Sequence, residues 1–280
     1  MAKARKTRGT KGRFGGGNVL SHAVLALFSL YIALPPLWVL RTSFVPESGA
    51  YSVTLLPEFT LDNYVKLLVK DKFWLAYTDS LVAAAVSTAL ALPLAAMAGY
   101  AFARYQTGGN VSRFFILATQ MLPPVAIVLP VFTLFRYVDL TNTVSGLVIA
   151  YAALNLPFLT WIMMGFFEGI PVELEWAAMV DGATVWRAFW RIVVPVSLPG
   201  LAAAAVLGFI LAWNEFLFAL VLTGPDTATI PVVLASLQSQ NGVQIAEVSA
   251  GVVLGVVPLL IASRFIQNYL VRGLTFGAIK

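Results

Sequence analysis

The chain has 280 residues, 59% of them hydrophobic and 11% charged, with a formal net charge of +5. Soluble domains carry about 25% charged residues, so this composition excludes a water-soluble globular protein and makes a bilayer the solvent. There is no cysteine and one histidine, His22, which removes disulfide and thiol chemistry and leaves no His or Glu pair at metal-ligand spacing.

A transmembrane helix needs about 20 mostly apolar residues, and six stretches qualify in chain order. They run over 19–40, 75–103, 114–135, 144–167, 196–222 and 248–266. The last is the shortest, and Arg264 at its end is placed to snorkel to the headgroups. Prolines inside the spans, Pro35, Pro36, Pro93, Pro123, Pro124 and Pro157, predict kinks. The division that follows is a basic tail over 1–18, a first span over 19–41 and an external loop over 42–74. A five-helix core over 75–270 and a C-terminal tail over 271–280 complete it.

The basic residues orient the bundle. Lys3, Arg5, Lys6, Arg8, Lys11 and Arg13 crowd the N-terminal tail, which the positive-inside tendency places in the cytoplasm beside anionic lipid. Six spans return the C-terminus to the same side. Arg104, Arg113, Arg187, Arg191, Arg264, Arg272 and Lys280 then lie inside, against Arg41, Lys66, Lys70, Lys72 and Arg136 outside. The positive charge therefore reads as topology and lipid contact, with no nucleic-acid partner. The first apolar run is long enough to span, and no small-residue cleavage site follows it, so it reads as a span and not as a secretory signal.

In the external loop, Leu61, Tyr64, Val65, Leu68 and Val69 recur at helical spacing. They predict a short amphipathic helix on the outer face, packed on its own bundle or against an external partner. No phosphate-binding GxxxxGK[ST] loop occurs, and Gly15 to Gly17 follow no strand, so neither ATP nor a dinucleotide has a cradle here.

The long polar interruption is 168–195, between the fourth and fifth spans. Pro171 suits the first turn of a helix, with Glu173 and Glu175 near its positive end. Gly182 stands where a left-handed residue ends that helix, and Thr184 is placed to cap a second one. Val185, Trp186, Phe189, Trp190 and Val193 form an apolar stripe opposite Arg187 and Arg191, and Pro195 ends the helix. Two short helices at an angle, exposed on the cytoplasmic side, make a docking surface.

The segment ELEWAAMVDGATVWRAFWRIVVP resembles the EAA loop of ATP-binding-cassette (ABC) importer permeases. Ala177, Ala178, Asp181, Gly182, Ala183, Phe189, Ile192 and Pro195 stand in register with that pattern. AWNEF at 212–216 and GLTFGAIK at 273–280 extend the resemblance to the carbohydrate-uptake, MalG-like branch. It implies an all-α integral membrane protein with six transmembrane helices, the type I importer permease fold, and both termini cytoplasmic. It also implies a second homologous permease, a homodimeric cytoplasmic ATPase that holds ATP and Mg, an extracytoplasmic solute-binding protein and a sugar or polyol substrate. No cofactor is bound directly. ATPase coupling falls to Glu175, Trp176, Ala177, Ala178, Asp181, Gly182, Ala183, Phe189 and Pro195, and a C-terminal ATPase contact to Gly273, Leu274 and Gly277. One position departs from the pattern: the glutamate before the paired alanines is Trp176, so Glu175, Asp181 or apolar contact from Trp176 must serve instead.

Polar residues deep in spans are costly in lipid and mark a substrate path or a gate. Here they are Gln120, Asn155, Trp213, Asn214 and Glu215. Their amides, carboxylate and indole suit sugar hydroxyls and a pyranose face; interhelical bonding is the competing role. Two other readings stay open, uptake of a non-sugar solute such as glycerol phosphate, and an ion-coupled secondary transporter using Glu215.

Overall fold

The structure is a computed structural model that describes residues 17–52, 54, 58–69, 73–239 and 242–277. The basic cluster from Lys3 to Arg13 lies outside the described residues, as do Lys70, Lys72 and Lys280. Helix α1 spans Gly17–Ser43 and α2 spans Asp62–Val69, followed by the long α3, Phe73–Tyr105. Next come α4 (Gly109–Met121), α5 (Pro124–Tyr137) and α6 (Val144–Glu168). The polar interruption forms α7 (Glu173–Val180), α8 (Val185–Ala188) and α9 (Val194–Val196), with a π-helical turn over Phe189–Val193. Then follow α10 (Leu198–Trp213), α11 (Leu217–Leu222), α12 (Ile230–Ser236) and α13 (Ile245–Gly277). A two-residue hairpin, β1 (Gln238–Ser239) and β2 (Gly242–Val243), precedes α13.

Among the described residues four helices are long and apolar enough to cross a membrane, α1, α3, α6 and the first 20 residues of α13. Two bent pairs raise the number to six: α4 with α5 at 90°, and the α8–α9 segment with α10 at 75°. The chain is a multi-pass, all-helical membrane protein, as its composition demands. Two predicted spans are broken, each for a local reason. In the third, Leu122 and Pro123 both sit in extended backbone (ψ 126° and 127°) because each precedes a proline, which disfavours the α region. In the fifth, α10 stops at Trp213 and a new helix begins at Leu217. Pro35, Pro36, Pro93 and Pro157 lie inside α1, α3 and α6 without ending them.

The bundle centres on α3 and α6, the most extensively packed pair. The buried stripe of α3 is made of small residues, Ala76, Ser80, Ala84, Thr88, Ala91, Ala95 and Gly99, which lets backbones approach closely. Gly99 is the tightest point: a Cβ there would lie 2.8 Å from the Met164 backbone nitrogen. Between α6 and α10, Asn155 Nδ2 donates to the Gly208 carbonyl at 3.2 Å, and Trp213 Nε1 ties α10 to α13 through the Gly255 carbonyl at 3.1 Å. The core falls into two clusters. One, around Phe73, Leu147, Tyr151, Trp213 and Phe218, fills the end where α2 and α12 pack; the other, around Tyr100, Met163, Phe167, Phe189 and Val193, fills the end that carries α7 and α8.

Three boundaries and one helix face differ from the sequence expectation. Helix α13 begins three residues early, at Ile245, because the Glu47 carboxylate accepts from Ile245 N and Ala246 N, and because Glu247 is paired with Lys66. It stays helical through Gly273, Leu274 and Gly277, into the segment expected as a separate C-terminal tail. The second loop helix does not end at Pro195; the π turn carries it on to Val196 and accommodates the missing N–H. In α2, Asn63, Tyr64 and Leu67 face the bundle, whereas Leu61, Val65, Leu68 and Val69 are exposed. Asn63 Nδ2 donates to the Ser43 and Val45 carbonyls at 3.0 and 2.8 Å, so polar contacts decide which face turns inward.

Candidate coupling loop and membrane cavity

Helix α7 ends in a complete Schellman motif. Gly182 N donates to the Met179 carbonyl at 3.0 Å and Ala183 N to the Ala178 carbonyl at 2.9 Å. Gly182 holds φ +85° and a Cβ there meets nothing within 4 Å, so backbone conformation and not space calls for glycine. Thr184 caps α8 as predicted, its Oγ1 accepting from Arg187 N. The two loop helices are thus set at a fixed angle by local chemistry.

Long-range contacts then fasten the loop to the bundle. Glu175 is buried, and its Oε1 accepts from Arg104 Nε at 2.6 Å while its Oε2 accepts from the Tyr100 hydroxyl at 2.5 Å. Arg104 Nη2 also donates to the Ile170 carbonyl at 2.8 Å. Phe189 sits 4.7 Å from the Tyr100 ring and 6.2 Å from Phe167, with Ala188 and Val193 buried beside it. Arg113 adds an ion pair to Glu168 at 3.1 Å. These contacts join the loop to α3 and to the end of α6 that leads into it, and that end of α6 to α4.

Glu175 is therefore not an outward docking acid, correcting that expectation: burial and the Arg104 pair commit it inside the chain. What the loop presents outward is mixed: Trp176 (55% exposed), Val180 (88%) and Trp186 (60%) stand among the exposed Glu173, Ala177, Asp181, Gly182, Arg187 and Arg191. Ala178 is buried and Pro195 exposed. The predicted stripe on the second helix divides, because Phe189 and Val193 pack inward while Val185, Trp186 and Trp190 remain exposed. Sequence reasoning missed Tyr100 and Arg104 as fasteners; Arg104 carried a signal only as a basic residue at the loop end of its span.

Of the predicted path residues, Gln120, Asn155 and Glu215 meet on one cavity of about 420 Å³. It lies where both helix breaks converge, lined also by Thr119, Pro124, Phe158 and Phe218. Glu215 caps α11: Phe218 N donates to its Oε1 at 3.0 Å and to its Oε2 at 3.1 Å, and Ala219 N donates to Oε2 at 3.1 Å. Gln120 is exposed and reaches the Leu154 carbonyl at 3.5 Å. Trp213 and Asn214 do not line this cavity; Trp213 holds α13, and Asn214 Nδ2 bonds back to the Ile210 carbonyl at 2.8 Å. A larger groove of about 670 Å³ between α3, α10 and α13 has only Tyr77 and Thr88 as polar lining, which gives a polar solute little to bind. Among the described residues no cluster of three or more His, Cys, Asp or Glu is disposed to hold a metal.

Residues 91–276 match the family described as the binding-protein-dependent transport system inner membrane component. The chain belongs to this family. It is thus an inner-membrane transport component, and the matched region takes in the loop, both helix breaks and the cavity. It is similar to the trehalose transport system permease protein SugB of Mycobacterium tuberculosis, at 37% identity over 89% of this chain and 93% of that protein. It is also similar to the trehalose/maltose transport system permease protein MalG of Thermococcus litoralis, at 33% identity over 94% and 98%. In fold it resembles a bacterial ABC transporter involved in the import of the acidic polysaccharide alginate. That likeness has a TM-score of 0.73 at 23% identity and covers 90% of this chain and 95% of the other.

Proposed function

We propose that this chain is the permease subunit of an ATP-driven importer that takes up a sugar or polyol and passes ATPase motion into its own helices through the α7–α8 loop. The carrying observation is the fastening of the loop: exposed Trp176, Val180 and Trp186 on one side, and on the other a buried Glu175–Arg104–Tyr100 cluster rooted in α3. A body held in this way transmits displacement to α3 and α6 without bending at the joint. Trp176, Ala177, Asp181 and Gly182 form the outward face for a homodimeric ATPase that carries ATP and Mg, while Ala178, Ala183, Phe189 and Pro195 shape it. A helix laid in a groove is a suitable joint of this kind. Gly273, Leu274 and Gly277, at the far end of α13, are a second contact with that ATPase. A homologous permease and an extracytoplasmic solute-binding protein complete the transporter.

The solute reading rests on the cavity. Broken helices around a cavity with a few polar groups are how membrane proteins build a binding site without exposing backbone to lipid. Gln120, Asn155 and Glu215 offer amide and carboxylate groups to hydroxyls, and the relatives named above are sugar permeases. The test is reconstitution of the four-component transporter in proteoliposomes with a Trp176→Asp, Val180→Asp variant of this chain. Loss of sugar uptake, with ATPase activity no longer stimulated by loaded binding protein, is the expected result. Fully coupled uptake by that variant overturns the reading.

A further inference from the structure

Helix α2 is apolar on both sides: Leu67 is buried against the bundle, and a second apolar face points outward. Its polar Asn63 and the Tyr64 hydroxyl bond inward to the end of α1, and Lys66 reaches Glu247 and Gln244 on and before α13. Its outward face is Leu61 (62% exposed), Val65 (57%), Leu68 (42%) and Val69 (72%), at positions that share one side of a helix. Phe59 and Trp74, exposed at either end, extend this apolar surface.

The depth of α2 follows from α13. Ile245–Arg264 is a 20-residue apolar segment, about the length that crosses the hydrocarbon core, so Ile245 stands near one boundary when Arg264 marks the other. Lys66 meets Glu247, and Leu67 packs over Gly251, two and six residues inside that boundary. At 1.5 Å per residue this puts α2 about 3 to 9 Å inside, the depth at which interfacial helices lie. Beside it, a groove of about 330 Å³ is lined by Leu68, Phe73, Trp74, Tyr77, Leu254 and Val257. Thr78, also on its rim, satisfies its hydroxyl on the Leu75 carbonyl. The groove joins the exposed face of α2 to the lipid-facing sides of α3 and α13 without a polar break.

We propose that α2 is a lipid-binding interfacial helix, with Leu61, Val65, Leu68 and Val69 in the headgroup–acyl boundary and a phospholipid acyl chain in the adjoining groove. The internal Lys66–Glu247 pair is what this environment requires, since a charge at that depth must find its partner inside the protein.

The chain contains no cysteine, so each variant is labelled alone at its single new cysteine before assembly with the other subunits. Nitroxides at Leu61→Cys, Val65→Cys and Val69→Cys are read in the assembled transporter, in nanodiscs of phosphatidylethanolamine and phosphatidylglycerol. Dioxygen and a water-soluble nickel chelate serve as probes, with Glu58→Cys as the aqueous reference. The expected oxygen-to-nickel accessibility ratio is severalfold above the reference at all three sites. Access by nickel at these sites, as for a face open to water or to the solute-binding protein, overturns the proposal. So does low access to both probes, as for a face covered by the second permease. A fluorophore at Leu68→Cys is expected to lose most of its emission with brominated acyl chains; unchanged emission removes the acyl chain from the groove.

Discussion

Glu175 at the loop and Glu215 at the cavity are both acids in a largely apolar chain, and they are held in opposite ways. Glu175 is satisfied by side chains from another helix, Tyr100 and Arg104, more than 70 residues away. Glu215 is satisfied by backbone N–H groups of the helix it starts, and stays on the cavity wall. The first arrangement ties two elements into one body; the second shapes a helix break at the cavity wall. Under the proposed function, the first region moves as a unit and the second meets the solute.

Removing Arg104 gives the largest expected effect, because it strands a buried carboxylate. Arg104→Ala is expected to destabilise the folded permease by about 3–5 kcal/mol, read as a lower unfolding temperature in detergent. Arg104→Met combined with Glu175→Leu is expected to recover most of that stability while uptake stays uncoupled. A double variant no more stable than the single one shows that the pair does not set the loop's stability. At the contrasting acid, Glu215→Ala loses a helix cap and is expected to cost about 0.5–2 kcal/mol. Glu215→Gln keeps one carbonyl acceptor and is expected to recover part of it. Sugar uptake by both variants is the second measurement, and equal uptake by wild type and Glu215→Ala removes this acid from the path.

What was legible in the sequence divides along the same line. Local chemistry was readable: the glycine in the left-handed region at 182, the Thr184 cap and a bend at Pro123–Pro124 each depend on residues within one turn, although the bend, read as a kink in one span, is a full break. Apolar run length gave the helices of the bundle; of the deep polar residues singled out from the sequence, Gln120, Asn155 and Glu215 share a cavity, while Trp213 and Asn214 do not line it. Contacts across the chain were not readable. Nothing near Glu175 announces that Arg104 and Tyr100 will bury it, and the inward face of α2 is chosen by carbonyls of residues 43 and 45 that periodicity does not see. The break after Trp213 was hidden because an uninterrupted apolar run reads as one span, whereas Glu215 can start a second helix inside it.

Gly182 probes the loop with a smaller perturbation. Gly182→Ala meets no steric neighbour, so its expected cost is that of a side chain in the left-handed region, about 1–2 kcal/mol. Because the Schellman motif sets the angle between α7 and α8, ATPase activity is expected to persist with reduced sugar uptake. Normal coupling at reduced stability would confine Gly182 to folding.

Gln120→Ala is the smallest change and the most specific to the cavity. The side chain is exposed and makes one long contact, 3.5 Å to the Leu154 carbonyl, so folding depends on it little. Stability is expected to change by less than about 0.5 kcal/mol, as for substitutions away from packed or bonded groups. Binding of a hydroxylated solute is a different matter, because an amide on the wall offers both a donor and an acceptor, and truncation leaves the solute's hydroxyl unmatched. The expected signature is a raised KM for uptake with unchanged ATPase activity and unchanged unfolding temperature. The same KM as wild type would leave Glu215 and Asn155 as cappers and interhelical ties, and the cavity as a gap between broken helices instead of a step on the path.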